Sequence, residues 1–137
     1  LTDDAKKLSK HIIPHILHSL KDCGKVELLE NSKKNKRTFL YNEDSCQAII
    51  ALCDSSDALD GSIYNVATDE EISIVDLVFL CAEKLGIDSP EIVFNGYRKS
   101  DPERRILNTD KIRKRTTWRP QISLDMGISE CVEELEK

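Results

Sequence analysis

An α/β fold is predicted by three features of the 137-residue sequence. Segments with helical apolar spacing alternate with short runs of β-branched and aromatic residues. Most of the helical segments carry their own start and stop signals. The composition, 39% hydrophobic and 33% charged with both signs present, is that of a folded domain rather than a disordered chain. The strands are few and short for a complete doubly wound sheet, so the chain is expected to be part of a larger architecture.

The elements follow in order. HIIPHILHSLKDCGK (11–25) is a helix: Ile12, Ile16 and Leu20 share a face, Pro14 suits the first turn and Gly24 the stop. VELLE (26–30) is a short strand, SKKNK (32–36) a polar loop and RTFLY (37–41) a second strand. EDSCQAIIALCDSSD (43–57) is a helix with its acids in the first turn, where they complement the macrodipole. SIYNVA (62–67) is a third strand. ISIVDLVFLCAEKLG (72–86) is a long helix, with Ser73 as N-cap, Asp76 completing a near capping box, and Gly86 at the end. EIVFN (91–95) is a strand, YRKSDPERR (97–105) a polar loop, 108–115 a short helix, 115–121 a turn, and 123–137 a last amphipathic helix capped by Ser123. The core expected from these faces is Ile12, Ile16, Leu20, Phe39, Ile49, Leu52, Ile63, Val66, Leu77, Leu80, Val93, Trp118, Leu124 and Val132.

Composition also excludes function classes. No apolar run reaches the roughly 20 residues of a membrane span. The polar start LTDDAKKLSK is not a signal peptide, and Leu rather than Met at position 1 predicts a processed product or a piece of a longer chain. Cys23, Cys46, Cys53, Cys81 and Cys131 are odd in number and form no C-x-x-C pair. Buried free thiols in a reducing, cytoplasmic compartment are expected. The net charge of −5 argues against a nucleic-acid binder. It conceals an asymmetry, however: twelve acids and one base between Glu43 and Glu91, then nine bases and three acids between Arg98 and Arg119. The last third is suited to an anion.

The candidate chemistry lies in two loops. Arg37 ends the basic run SKKNKR and abuts the apolar TFLY, so its stem packs while its planar fork, matched to phosphate oxygens, is aimed. RKSDPERR (98–105) offers Arg98, Arg104 and Arg105 around Asp101 and Pro102, an anion clamp on one reading and a charged surface turn on the other. Both loops follow strands, where ligands bind in open α/β sheets. His11, His15 and His18 have helical spacing, but Pro14 interrupts them and no Glu lies between them, so no metal site is expected. A glycine-rich dinucleotide loop, a P-loop, a nucleophile elbow and a Tyr-x-x-x-Lys pair are all absent from the sequence.

Taken in order, HIIPHIL, KRTFLYNEDSCQAI, GSIYNVA, EISIVDL, RKSDPERRILNTDKI and TWRPQISLDMGI resemble the C-terminal part of an extended short-chain dehydrogenase/reductase of the nucleotide-sugar epimerase/dehydratase family. The family pattern is R-D-F-I-Y-V-D-D, Y-N-V-G, S-hydrophobic-x-E/D-L, R-x-x-D, D-x-S-K, G-W-x-P and S-L-x-x-G-I. The chain departs from it at Asn42-Glu43-Asp44, at Asn108-Thr109-Asp110-Lys111 and at Thr116-Thr117-Trp118. The resemblance implies the C-terminal portion of an NAD(P)-binding Rossmann-type fold. Residues 1–137 would form a single substrate-binding region, with the cofactor-binding N-terminal half absent from this chain. It implies that Arg37 and Arg98 grip the diphosphate of a nucleoside-diphosphate sugar, that Asp101 closes the R-x-x-D motif, and that Arg105 faces the phosphates or the sugar. No catalytic residue is carried over. NAD or NADP serves the complete enzyme, an isomerase, lyase or reductase that is compatible with a homodimer. This chain alone is expected neither to bind the cofactor nor to turn over. The alternatives are a stand-alone, non-catalytic sugar-nucleotide-binding or interaction module, and an interaction domain using the basic stretch 98–119. No aromatic-interleaved basic stripe supports the latter.

Overall fold

The structure, a computed structural model, describes residues 11–137. The polar start read above against a signal peptide lies outside the described residues. In chain order the elements are α1 (Ile12–Cys23), β1 (Lys25–Leu28), a 3₁₀ turn (Glu30–Lys33), β2 (Lys36–Thr38), α2 (Asn42–Asp54) and a second 3₁₀ turn (Ser56–Ala58). They continue with β3 (Glu71–Ser73), α3 (Ile74–Lys84), β4 (Glu91–Phe94), α4 (Asp110–Arg115) and α5 (Leu124–Glu136). The chain divides into two compact units.

The first unit comprises the described residues up to Asn35, then Ser73–Glu103 and Ile128–Lys137. Helix α1 buries Ile16, Leu17 and Leu20 and stops at Gly24, whose φ of 65° lets its N–H reach Leu20 O. That conformation disfavours a side chain, which is why glycine stands there. Strand β1 alternates, with Val26 and Leu28 inward, and pairs in parallel with β4 so that Val26 faces Ile92 and Leu28 faces Phe94. Helix α3 contributes Ile74, Leu77, Val78, Cys81 and Ala82, and α5 contributes Ile128 and Val132. The expected cap is present: Asp76 N–H donates to Ser73 Oγ at 3.0 Å, and the Ser73 hydroxyl donates to Asp76 Oδ2 at 2.6 Å.

The second unit comprises Lys36–Ile72 and Arg104–Gly127. Its core is Ala48, Ile112 and Trp118, with Leu40, Ala51, Leu52, Tyr64 and Val66 packed on it. Strand β2 pairs with β3. The turn residue Trp118 is buried, and its Nε1–H donates to Asp44 O at 2.9 Å. Ser123 caps α5 by accepting Met126 N–H at 3.2 Å.

Four expectations need correction. The segment 62–67 is no strand, because no backbone–backbone hydrogen bond ties it to another segment among the described residues. Strand β2 ends at Thr38 rather than at residue 41, and the loop 32–36 opens inside a 3₁₀ turn. Ile49 and Ile63, expected in the core, are 61% and 87% exposed. Periodicity marks an apolar face but not whether anything covers it. The thiols divide: Cys81 is buried and Cys131 half-buried, whereas Cys23, Cys46 and Cys53, on outward helix positions, are exposed. No described helix is long and apolar enough to cross a membrane.

Candidate diphosphate-binding site

In the first unit the R-x-x-D loop leaves β4 through Gly96 and is fastened to the segment that leaves β1. Asn31 accepts the Arg98 N–H on Oδ1 at 2.8 Å and donates Nδ2 to the Arg98 carbonyl at 3.0 Å. Asn35 donates Nδ2 to Asp101 Oδ2 at 2.6 Å. Arg98 itself is exposed, with no side-chain partner among the described residues. Asp101 is half-buried and thus serves as an anchor of its own loop. Neither asparagine was singled out by sequence reasoning, because loop asparagines resemble ordinary turn formers and their partners lie 67 and 66 residues away.

In the second unit Lys36 and Arg104 form a parallel β-bridge. Arg37 and Arg105 each follow a member of this bridge in sequence. Arg104 is spent on structure: its Nε donates to Glu71 Oε1 at 2.8 Å and holds that carboxyl below the usual range. Arg37 is half-buried and donates Nη1 to Lys36 O at 2.7 Å, while Arg105 is exposed.

The departures from the family pattern are locally accommodated. Asn108 accepts the Asp110 N–H on Oδ1 at 2.9 Å, the contact an aspartate would make at the start of α4. Asp44, 2% exposed, accepts the N–H groups of Gln121 and Ile122 at 2.9 Å each. The second acid of the NED triplet thereby holds the turn after Trp118. The basic stretch is partly neutralised within the unit, with Arg113 Nη2 2.6 Å from Asp69 Oδ2.

A nicotinamide dinucleotide does not fit the residues present. Close backbone approach to a pyrophosphate needs glycines facing open, amide-lined space. Gly24 and Gly86 follow the ends of helices, Gly96 faces Leu29, Gly127 faces the Tyr41 ring, and Gly61, though it has open space before it, has no other glycine within 20 residues. An open cleft of about 710 Å³, lined by Asp54, Ser55, Asp57, Lys114 and Arg115 among others, contains none of the four candidate residues. No group of three metal-ligating side chains occurs among the described residues.

Known proteins resemble this chain in sequence and fold. The family model described as GDP-mannose 4,6 dehydratase matches residues 5–131. A GDP-L-fucose synthase of Sinorhizobium fredii is 26% identical over 130 residues, covering 91% of this chain and 40% of that protein. A dTDP-glucose 4,6-dehydratase of Escherichia coli is 27% identical over 125 residues, covering 86% and 34%. Among solved structures, a Streptomyces venezuelae dTDP-glucose 4,6-dehydratase with NAD and TYD bound superposes with a TM-score of 0.82 at 24% identity over 93% of this chain and 39% of that one. A Thermotoga maritima UDP-glucose 4-epimerase with UDP-glucose gives 0.81 at 23% identity over 92% and 39%. These two likenesses establish the Rossmann-type fold. The chain spans two-fifths or less of the length of these curated relatives. The chain belongs to the GDP-mannose 4,6 dehydratase family, within the extended short-chain dehydrogenase/reductases of the nucleotide-sugar epimerase/dehydratase type, and corresponds to the C-terminal part of such a protein.

Proposed function

We propose that the chain is the substrate-binding part of an NAD(P)-dependent nucleotide-sugar epimerase or dehydratase, and that its arginines grip the diphosphate of a nucleoside-diphosphate sugar. The observation that supports the reading is the Lys36–Arg104 bridge, which joins the two segments that go on to carry Arg37 and Arg105. Guanidiniums carried on two adjoining segments suit a diphosphate, which supplies both charge and oxygens for planar forks. In the other unit Arg98 is held by its backbone and has no side-chain partner among the described residues, which suits it to meet an anion. The cofactor, NAD or NADP, would be held by a cofactor-binding half outside these residues. In support, the apolar run 62–67 lacks a backbone–backbone partner among the described residues, as an edge awaiting a neighbouring strand would. The acid, base and hydride carrier would also come from that half, and the cytoplasm is the compartment proposed.

The test is titration of the full-length protein with GDP-mannose, dTDP-glucose and UDP-glucose, followed by product analysis with NAD and with NADP. Micromolar binding of one sugar nucleotide, with conversion, is expected. Binding without conversion would favour a non-catalytic module, and no binding of any nucleoside-diphosphate sugar would refute the reading.

A further inference from the structure

The parallel pairing of β1 with β4 continues past the strand ends. Asn95 N–H donates to Leu28 O at 2.8 Å and Glu30 N–H to Gly96 O at 2.9 Å. The next rung is made by a side chain, the two-point contact of Asn31 with the Arg98 N–H and carbonyl. A primary amide presents an acceptor and donors much as a peptide group does, so Asn31 fixes both polar groups of the Arg98 backbone. The second tether is more deeply set. Asn35 is 4% exposed, its N–H donates to Asn31 O at 3.0 Å, and its carbonyl accepts the N–H of Ile74, the first residue of α3, at 3.0 Å. Its Nδ2 then holds Asp101.

The loop so held is largely solvent-exposed. Tyr97 is 73% exposed, and Arg98, Lys99 and Ser100 are exposed too. Ser100 sits at φ 64°, a left-handed conformation unfavourable for a residue with a Cβ, so surrounding contacts must impose it. We propose that Asn31 and Asn35 are positioning residues for the Arg98–Asp101 loop, keeping it in the conformation that presents the Arg98 guanidinium to a diphosphate. The inference rests on the diphosphate reading and adds to it the device that sets the arginine. A loop ordered before the ligand arrives loses less conformational freedom on binding. The two asparagines therefore act on affinity through Arg98 without touching the ligand.

The test uses the full-length protein, with GDP, UDP and dTDP as probes. Asn31→Ala is expected to weaken the nucleoside diphosphate that binds by roughly tenfold, and Asn31→Gln, which keeps the amide, to recover part of the loss. Asn31→Ala combined with Arg98→Ala should bind no more weakly than Arg98→Ala alone, because the asparagine acts only through the arginine. Losses that add would instead mark Asn31 as a general stabiliser and overturn the proposal. Amide exchange at Arg98 and Asp101 should quicken in Asn31→Ala while exchange in α3 is unchanged. This local readout keeps the test decisive if the variant is less stable. If Arg98→Ala weakens binding and Asn31→Ala does not, the positioning role fails and the diphosphate reading stands. If the parent binds none of the three, or Arg98→Ala binds as well as the parent, the diphosphate reading fails and this inference with it.

Discussion

The ring of Tyr41 lies over the backbone of Gly127, so closely that a Cβ at Gly127 would stand 2.9 Å from Tyr41 Cδ2. The glycine is helical and has no special φ, so contact rather than conformation requires it. An alanine gains about 1 kcal/mol in helix propensity but must displace an aromatic ring, which typically costs about 1–3 kcal/mol. Gly127→Ala is therefore expected to lower stability by about 1 kcal/mol, and Gly127→Val by more. Urea unfolding midpoints of the two variants measure this, and a stabilised Gly127→Ala would mean that the ring yields freely.

Leu77 and Ile49 separate burial from periodicity. Both lie on apolar helix faces, yet Leu77 is 0% and Ile49 61% exposed. Leu77→Ala should cost roughly 2–5 kcal/mol, the range for a buried large-to-small change. Ile49→Ala should stay within about 0.5 kcal/mol. The comparison is made by chemical denaturation of this chain, and a costly Ile49→Ala would mean that the exposed face of α2 is covered in solution.

The same contrast explains how much could be read from the sequence. Helices announce themselves locally, through Gly24 at one end and Ser73 with Asp76 at another, and these signals held. A strand is different, because its hydrogen bonds lie elsewhere. The run 62–67 has strand composition, but no backbone–backbone partner among the described residues completes it. The site divides in the same way. Arg37 and Arg98 could be found from residue type and family pattern. Asn31, Asn35 and the Lys36–Arg104 bridge could not, since each depends on a partner more than 60 residues away.

Cys81 gives a prediction in pH. Burial first, and then the neighbouring Cys131, push its thiol from the ordinary 9.0 up to about 12. The unfolded chain thus loses this proton near pH 9, while the folded chain keeps it to about pH 12. Between those values the unfolded state binds fewer protons, so stability is fully present below pH 9 and is lost as pH rises through the window. Cys81→Ala should flatten part of that decline relative to the parent, at some cost in core packing at every pH. Brief alkylation at pH 8 should modify Cys23, Cys46 and Cys53, leaving Cys81 last, because only the thiolate reacts and only exposed sulfur is reached. Early labelling of Cys81, or parallel pH curves for the two proteins, would contradict this account.

The last prediction separates arginines that bind from cations that do not. Arg104 is paired with Glu71, Lys33 with Glu30, and Lys34 lies 3.9 Å from Glu103. Lys36 faces the same Glu71 field. These groups already have carboxylates, and exposed pairs of this kind are worth about 0–1 kcal/mol. Arg98 and Arg105 have no side-chain partner among the described residues, and Arg37 is half-buried. If these three meet a diphosphate, each contact is charge-assisted and worth about 1.5–3 kcal/mol. Arg37→Ala and Arg98→Ala in the full-length protein should then each weaken nucleotide-sugar binding roughly 10- to 100-fold, with Arg105→Ala in the same direction. Lysine at 37 or 98 should restore only part, because a point charge cannot reproduce the fork. Lys34→Ala should shift affinity only slightly, and that shift should vanish as salt is raised. Dissociation constants for the single variants at two ionic strengths decide the matter. Were Arg37→Ala to bind as tightly as the parent while Lys34→Ala did not, the assignment of Arg37 to the diphosphate would have to be withdrawn.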